Sequence, residues 1–400
     1  MQLVERHIIH PNHAHYEEID QAAFASKNLY NLANYTIRQH FFNTGEVYRY
    51  EDLYNILKGT EAYEALPRKV SQQVLRGLDK NWKSFAAAKV AWKKDPSRFL
   101  GRPKLPKYKH IENGRNILTY TIQAVSAKLL KIGQIKLSGL KMMFKTKQTD
   151  IAQVRIVPKS THYVIEVVYN IEPKQHVYSD RVAGIDIGLD NLAVVTSNET
   201  GFKPVVINGK PLKSINQFYN KRKAELQSRL GNHRRTSKRL ERLTDKRNRR
   251  IDHYMHVASR RIIDSLVEHN IGTLIIGKND GWKQDINLGK RTNQNFVQIP
   301  HARFISMLEY KAKLENMKVV VTEESYTSKT SFLDGEQPIK HESYAGKRVK
   351  RGLFRSSTGR TINADLNGAY QIIKKVVSDA FSSEEIEGVV VHPLPIAGIN

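Results

Sequence analysis

Cysteine is absent from all 400 residues, which excludes disulfides, a thiol nucleophile and any zinc site built on thiolates. No run of eighteen or more apolar residues occurs, so no segment reads as a membrane-spanning helix. The opening MQLVERHIIHPNHAHYEE lacks the basic-then-apolar layout of a secretion signal, and the expected location is cytoplasmic, in association with the nucleoid. Acid is scarce as well: 39 Asp and Glu face 65 Lys and Arg, a net charge of +26. An excess of that size favours polyanions through counterion release. A membrane surface would want a basic amphipathic anchor rich in aromatics and leucine, and no terminal segment has that form. The expected partner is nucleic acid, with no membrane contact.

With 40% apolar residues, a chain of this length can fill two or three cores. Helical spacing runs from 17 to 100, as in Leu29, Leu32, Ala33 and Ile37 and again in Leu75, Leu78, Trp82 and Phe85. Pro103 and Pro106 end it within FLGRPKLPKYK, where Lys104, Lys107 and Lys109 suit a path for phosphates. From Leu118 to Ile171 the pattern alternates, as in Val154 and Ile156 and then Tyr163, Ile165, Val167 and Tyr169, which predicts a half-buried antiparallel sheet in a β-barrel-like module. From Val182 an apolar strand, a glycine turn and a second strand follow, with a third at KPVVING. A helical hairpin over Phe218–Asn270, the strand TLIIG, a helix from His301 to Asn316, the strand KVVVTEE and a last helix from Ala364 complete an α/β unit. The fold class expected is α+β and multidomain.

An antiparallel start followed by parallel strands alternating with helices is the order of RNase H-type nucleases, where separate carboxylates converge on two divalent metals. Asp186, flanked by Ile185 and Ile187 in the first strand, is costly to bury unless a cation or strong donors compensate it. Asp365 stands at the start of the last helix, where the dipole favours a negative group. Helix capping explains Asp365 equally well. Between Lys221 and Arg250, 13 Lys and Arg face 3 acids, too few for surface salt bridging to account for the run. Arg234, Arg235, Lys238, Arg239, Arg242, Arg247, Arg249 and Arg250 are therefore expected to contact phosphate. Tyr30, Tyr35, Tyr48, Tyr50, Tyr54, Tyr63 and Trp82 would either stack on bases or fill the helical core. Trp282, Lys283 and Gln284 are candidates to line a groove.

The segments GIDIGLDNLAVVTS and NADLNGAYQI resemble the first and third RuvC motifs of the TnpB (OrfB) family, RNA-guided nucleases of insertion sequences related to type V CRISPR effectors. SKNLYNLANYTIRQ, WKSF, GRPKLPKYK and SYTSKTSFLDGE extend the likeness over nearly the whole chain. The resemblance implies a β-barrel wedge domain (1–16 and 104–180) with an inserted helical recognition domain (17–103). A RuvC-like, RNase H-like α/β nuclease domain (181–326 and 361–380) and a tail (381–400) would follow. It implies an endonuclease that uses a transposon-derived guide RNA and a short flanking motif to cut double-stranded DNA with two Mg2+ ions, Mn2+ substituting, as a monomer. A nuclease-inactive RNA-guided repressor or a transposase accessory protein is the alternative.

Two departures stand out. The glutamate that the family carries at the end of the strand TLIIGKND is replaced at about Gly277. The neighbouring strand ends in Glu323 and Glu324, and parallel strands lie about 5 Å apart, so one of these acids would fill the place; Glu324 is preferred, Glu323 the alternative. Where relatives carry the first Cys pair of a zinc ribbon, Ser331 and Asp334 stand here. Residues 327–360 then read as a zinc-free basic loop, either contacting nucleic acid or simply solvated, with His341 the one weak zinc ligand.

Overall fold

The computed structural model describes residues 1–175, 179–231, 234–278 and 298–396. They form two compact units, 1–171 and 172–400. Trp282, Lys283 and Gln284 lie outside the described residues.

In chain order the first unit comprises β1 (Gln2–Ile9), α1 (Tyr16–Thr44), α2 (Tyr50–Leu57), α3 (Glu61–Glu64), α4 (Arg68–Lys94), β2 (Leu118–Thr121), α5 (Ala127–Leu130), β3 (Gln134–Lys136), β4 (Met143–Lys145), β5 (Ile151–Pro158) and β6 (Tyr163–Asn170). Strands β1, β6, β5 and β2 form an antiparallel sheet in that order, and β3 pairs only with β4. Among the described residues the expected barrel is therefore an open sheet with a separate hairpin. The reason lies in the helices: Ile19, Ala23, Leu29 and Ala33 of α1 and Val70, Val74, Leu78 and Trp82 of α4 share one buried cluster with Val154, Ile156, Ile165 and Val167 of the sheet. Helices supply the second layer that a barrel would draw from its own strands. The stretch expected as a separate helical insert and the sheet thus share one core.

A polar stripe on α1 lashes down the proline-broken segment. Arg115 makes a two-pronged contact with the Asp20 carboxylate at 2.6 and 2.8 Å, and the Tyr163 hydroxyl donates to the same carboxylate at 2.6 Å. Lys27 donates to the carbonyl of Ile111, Asn31 bonds both backbone groups of Lys109, and Asn34 and Arg38 donate to the carbonyl of Pro106. Steps of 7, 4, 3 and 4 from Asp20 keep these side chains on one helical face. Prolines leave carbonyls without ladder partners, and the stripe satisfies them.

The second unit comprises β7 (Val182–Asp186), β8 (Asn191–Ser197), β9 (Val205–Asn208), α6 (Lys210–Ser228), α7 (Lys238–Glu268), β10 (Thr273–Gly277), α8 (His301–Leu314), β11 (Lys318–Thr322), β12 (Lys347–Lys350), β13 (Leu353–Arg355), β14 (Thr361–Asn363), α9 (Ala364–Val376), α10 (Ser383–Gly388) and β15 (Leu394–Pro395). Its main sheet has the order β11-β10-β7-β8-β9-β15. β8 pairs antiparallel with both β7 and β9, whereas β10 pairs parallel with both β7 and β11. The segment expected as a tail instead adds β15, parallel to β9.

Strand alternation assigns the two faces of this sheet. Ala183, Ile185, Leu274 and Ile276 join a cluster with α7 and α8. Val182 and Ile275, with Val320 packed beside them, meet Ile372 and Ile373 of α9 on the opposite face. Period two then carries Asp186, Gly277 and Glu324 to the α9 side.

Residues 327–360 are folded rather than a loose loop. β12, β13 and β14 form a small antiparallel sheet, and Phe332 is buried with its ring stacked 4.3 Å from that of Tyr370. Asn367, Gln371 and Lys374, spaced by helical turns on α9, bond backbone groups of Thr330, Phe332, Gly335 and Glu336. Asp334, at one position expected for a zinc cysteine, accepts from the backbone N–H and hydroxyl of Ser357. Apolar burial and side-chain bonds to the backbone hold the segment together.

Candidate active site

Asp186 ends β7, Asp365 lies in the first turn of α9 and Glu324 follows β11. The capping alternative for Asp365 falls away, because Asn363 takes that role: its side chain accepts from the N–H groups of Asp365 and Leu366 at 3.0 and 3.1 Å. The Asp365 carboxylate is thus left to face the sheet. There it accepts a 2.7 Å bond from Asn191, and Arg348 of β12 stands 3.7 Å away.

Two glycines make room for these acids. A Cβ on Gly368 would lie 2.9 Å from Oδ2 of Asp186, so only glycine lets the strand carboxylate rest against α9. A Cβ on Gly277 would lie 2.6 Å from Oε1 of Glu324. The place vacated at Gly277 is therefore where Glu324 reaches, while Glu323 is exposed.

Burial, then the negative charges of Glu324 and Asp365, raise the Asp186 carboxyl well above the ordinary carboxylate range against the opposing pull of Arg348. Burial likewise pushes Glu324 up to about 7, with Lys375 opposing. Mutual repulsion among acids is the electrostatic condition that a divalent cation relieves, and an all-oxygen donor set suits a hard ion such as magnesium. Among the described residues, no group of three or more His, Asp or Glu is drawn together tightly enough to hold an ion as it stands. The donor chemistry of the three carboxylates fits such an ion.

Asn191 and Arg348 were not singled out from sequence. The motif GLDNLA placed Asn191 five residues after Asp186, a signal that went unused; Arg348 had none, since its reach depends on how β12 folds back. Asp190 in the same turn pairs with Lys213 and with Arg351 of the β12–β13 hairpin. His301 bonds the carbonyl of Gly188 at 3.1 Å, tying α8 to the turn after Asp186.

The expected phosphate-binding residues separate into two kinds. Lys104, Lys107, Lys109, Arg234, Arg235, Lys238, Arg239, Arg242, Arg249 and Arg250 are exposed. Arg247 is turned inward, donating to the side chains of Asn216 and Asn248 and to the carbonyl of Gln298 at 2.7–2.9 Å. Among the aromatics, Tyr30, Tyr63 and Trp82 are buried, Tyr35 is 54% exposed, and Tyr48, Tyr50 and Tyr54 are half-buried. His341 is half-buried and bonds the carbonyl of Gln337.

The probable-transposase family model OrfB_IS605 matches residues 163–283, and that of the Cas12f1-like TNB domain matches residues 301–372. The TnpB-like protein ORF457 of Acidianus two-tailed virus is 26% identical over 418 aligned residues, covering 92% of this chain and 85% of that protein. The CRISPR-associated endodeoxyribonuclease Cas12f2 of a Micrarchaeota archaeon is 27% identical over 229 residues, 54% of this chain and 41% of its own. In structure, the Cas12f1 chain of a Cas12f1-sgRNA-target DNA complex superposes with a TM-score of 0.57 at 14% identity, covering 89% of this chain and 82% of that one, a likeness of fold. Two stretches of the chain thus match the OrfB_IS605 and Cas12f1-like TNB family models, and over most of its length the chain is similar in sequence to a TnpB-like protein and in fold to Cas12f1.

Proposed function

We propose that this protein is an RNA-guided DNA endonuclease whose hydrolytic centre is formed by Asp186, Glu324 and Asp365. The observation that supports the reading is that the charges of Glu324 and Asp365 both act on Asp186, three acids from strand ends and a helix start far apart in sequence, beside a sheet of order β11-β10-β7-β8-β9-β15. The relatives named above support the guided part of the reading, and the net charge of +26 supports a polyanionic partner.

Asp186, Glu324 and Asp365 would hold two Mg2+ ions, with Mn2+ as substitute, and their bound form supplies Lewis-acid charge and an ionised water for phosphodiester hydrolysis. Asn191 orients the Asp365 carboxylate, and Arg348 brings positive charge to the place where a phosphate gathers negative charge during cleavage. Target choice rests on pairing between a transposon-derived guide RNA and one DNA strand, the protein reading only a short flanking motif. The protein acts in this reading as a monomer in the cytoplasm, at the nucleoid.

The test is to sequence RNA that copurifies with the full chain and to offer double-stranded DNA matching its variable end, with Mg2+. Matched DNA is cut and mismatched DNA is spared, and Asp186→Asn abolishes cutting while binding persists. If matched DNA is bound yet stays intact with Mg2+ and Mn2+, the protein is a guided repressor; if no RNA copurifies, the guided reading fails.

A further inference from the structure

A hollow of about 460 Å3 opens between the start of α6 and the middle of α7, and none of its residues belongs to the carboxylate centre. Pro211, Ile215 and Tyr254 line it together with Lys246, Arg249, Arg250 and His253. The last four follow one another at intervals of 3, 1 and 3, which places them on a single face of α7. Pro211 and Ile215 stand one turn apart on α6. The Tyr254 hydroxyl donates to the carbonyl of Asn208, so its polar end is satisfied within the protein.

Two properties of this hollow point to a ligand. No carboxylate lines it, and none of Lys246, Arg249, Arg250 and His253 enters an ion pair among the described residues; the neighbouring Asp252 is instead paired with Arg303 at 2.7 Å. Like charges at helical spacing oppose helix formation unless an anion offsets them. The second property is the apolar floor. A track for backbone phosphates needs exposed cations and nothing beneath them, whereas a floor of proline, isoleucine and tyrosine within a cationic rim matches a flat apolar group carrying phosphates.

We infer that the hollow receives one unpaired nucleotide of a bound strand, its base against Pro211, Ile215 and Tyr254 and its flanking phosphates on Lys246, Arg249 and Arg250. A base inside a duplex has both faces stacked and its pairing edge engaged, so the occupant is a nucleotide outside a helix. This inference rests on the nucleic-acid-binding part of the proposed function and is independent of cleavage.

The test measures fluorescence anisotropy of the full chain, without divalent ions, on two labelled strands of about 20 nucleotides: oligothymidylate and an abasic strand with the same backbone. Ile215→Trp fills the hollow from its floor, and His253→Trp covers it from the exposed rim, which keeps the test open should the first variant fold poorly by thermal melting. Either folded variant weakens binding of oligothymidylate by about tenfold, the size of one lost base-stacking contact, and leaves the abasic strand unaffected. The triple variant Lys246→Gln, Arg249→Gln, Arg250→Gln weakens both strands. If the tryptophan variants bind oligothymidylate like the parent, or lose both strands equally, the nucleotide pocket is refuted while nucleic-acid binding stands. If the parent binds neither strand, the nucleic-acid reading falls with it.

Discussion

Glu324 occupies the space that a side chain on Gly277 would need, with only 2.6 Å between Oε1 and the position of a Cβ there. Gly277 ends β10 and Glu324 follows the adjacent parallel strand β11, and the register that sets Gly277 against Thr322 brings Glu324 alongside from two residues further on. Glu324 thus reaches the place of a side chain on Gly277 from beyond the neighbouring strand, and the proposed exchange of the acid between the two positions is testable. Glu324→Ala is expected to lower cleavage by about a hundredfold or more, the scale of losing charge at a metal-assisted centre. Gly277→Glu alone also lowers it through collision with Glu324 and Ile372, whereas Gly277→Glu combined with Glu324→Gly recovers part of the rate once the end of the Ile372 side chain, 2.5 Å from that Cβ, swings aside. Plasmid cleavage beside an unchanged binding curve measures this; equal failure of the double variant and Glu324→Ala would refute equivalence of the two positions.

The Asn191 bond to Asp365 predicts an effect on metal demand. Asn191→Ala frees the carboxylate to rotate, so the Mg2+ concentration for half-maximal cleavage rises about tenfold, at the low end of the roughly 10- to 100-fold range known for groups that orient metal ligands. Titrating Mg2+ at saturating DNA separates this from a folding defect, which lowers the maximum without moving the midpoint.

Protons compete with cations at this centre. Because burial brings Glu324 to about 7, its carboxyl retains a proton at mildly acidic pH that ion binding must displace, and the raised Asp186 carboxyl acts in the same direction. The Mg2+ requirement is therefore expected to fall as pH rises from about 6 to about 8, as the protonated fraction shrinks. A pH-independent midpoint across that window contradicts the raised carboxyls.

Asp20 predicts the reverse kind of titration, in stability. Burial works to raise its carboxyl, but the hydrogen bonds from Arg115 and Tyr163 prevail and hold it below the ordinary carboxylate range. A depressed folded value means that the stabilisation is fully present above the unfolded value near 4 and is lost as pH falls toward the folded one. Asp20→Asn should lower stability of the first unit by about 2 kcal/mol at neutral pH and flatten its loss in acid, as read from urea melts at pH 7 and pH 3.

Arg247 and Arg250 are three residues apart on α7 and should behave oppositely. Arg247→Ala breaks three internal bonds and destabilises the second unit by about 2 kcal/mol. Arg250→Ala leaves the melting temperature unchanged and reduces the salt dependence of nucleic-acid binding by roughly one phosphate contact. Thermal melts and salt titrations of the two variants decide it.

The sequence by itself determined the element types and the strongly positive charge, because periodicity and proline and glycine punctuation act through near neighbours and net charge through the whole sum. Asp186 and Asp365 were legible for the same reason, each standing at an element end within a recognisable motif. Tertiary structure decided what depended on distant groups. The choice of Glu324 over Glu323 followed from strand parity and the space at Gly277, and the release of Asp365 from capping followed from Asn363. Arg348 reached the acids only because residues 327–360 fold onto α9. Arg247 turned inward although its neighbours in the same basic run face solvent, since a helix gives each residue a different direction and packing selects which of them meets a partner.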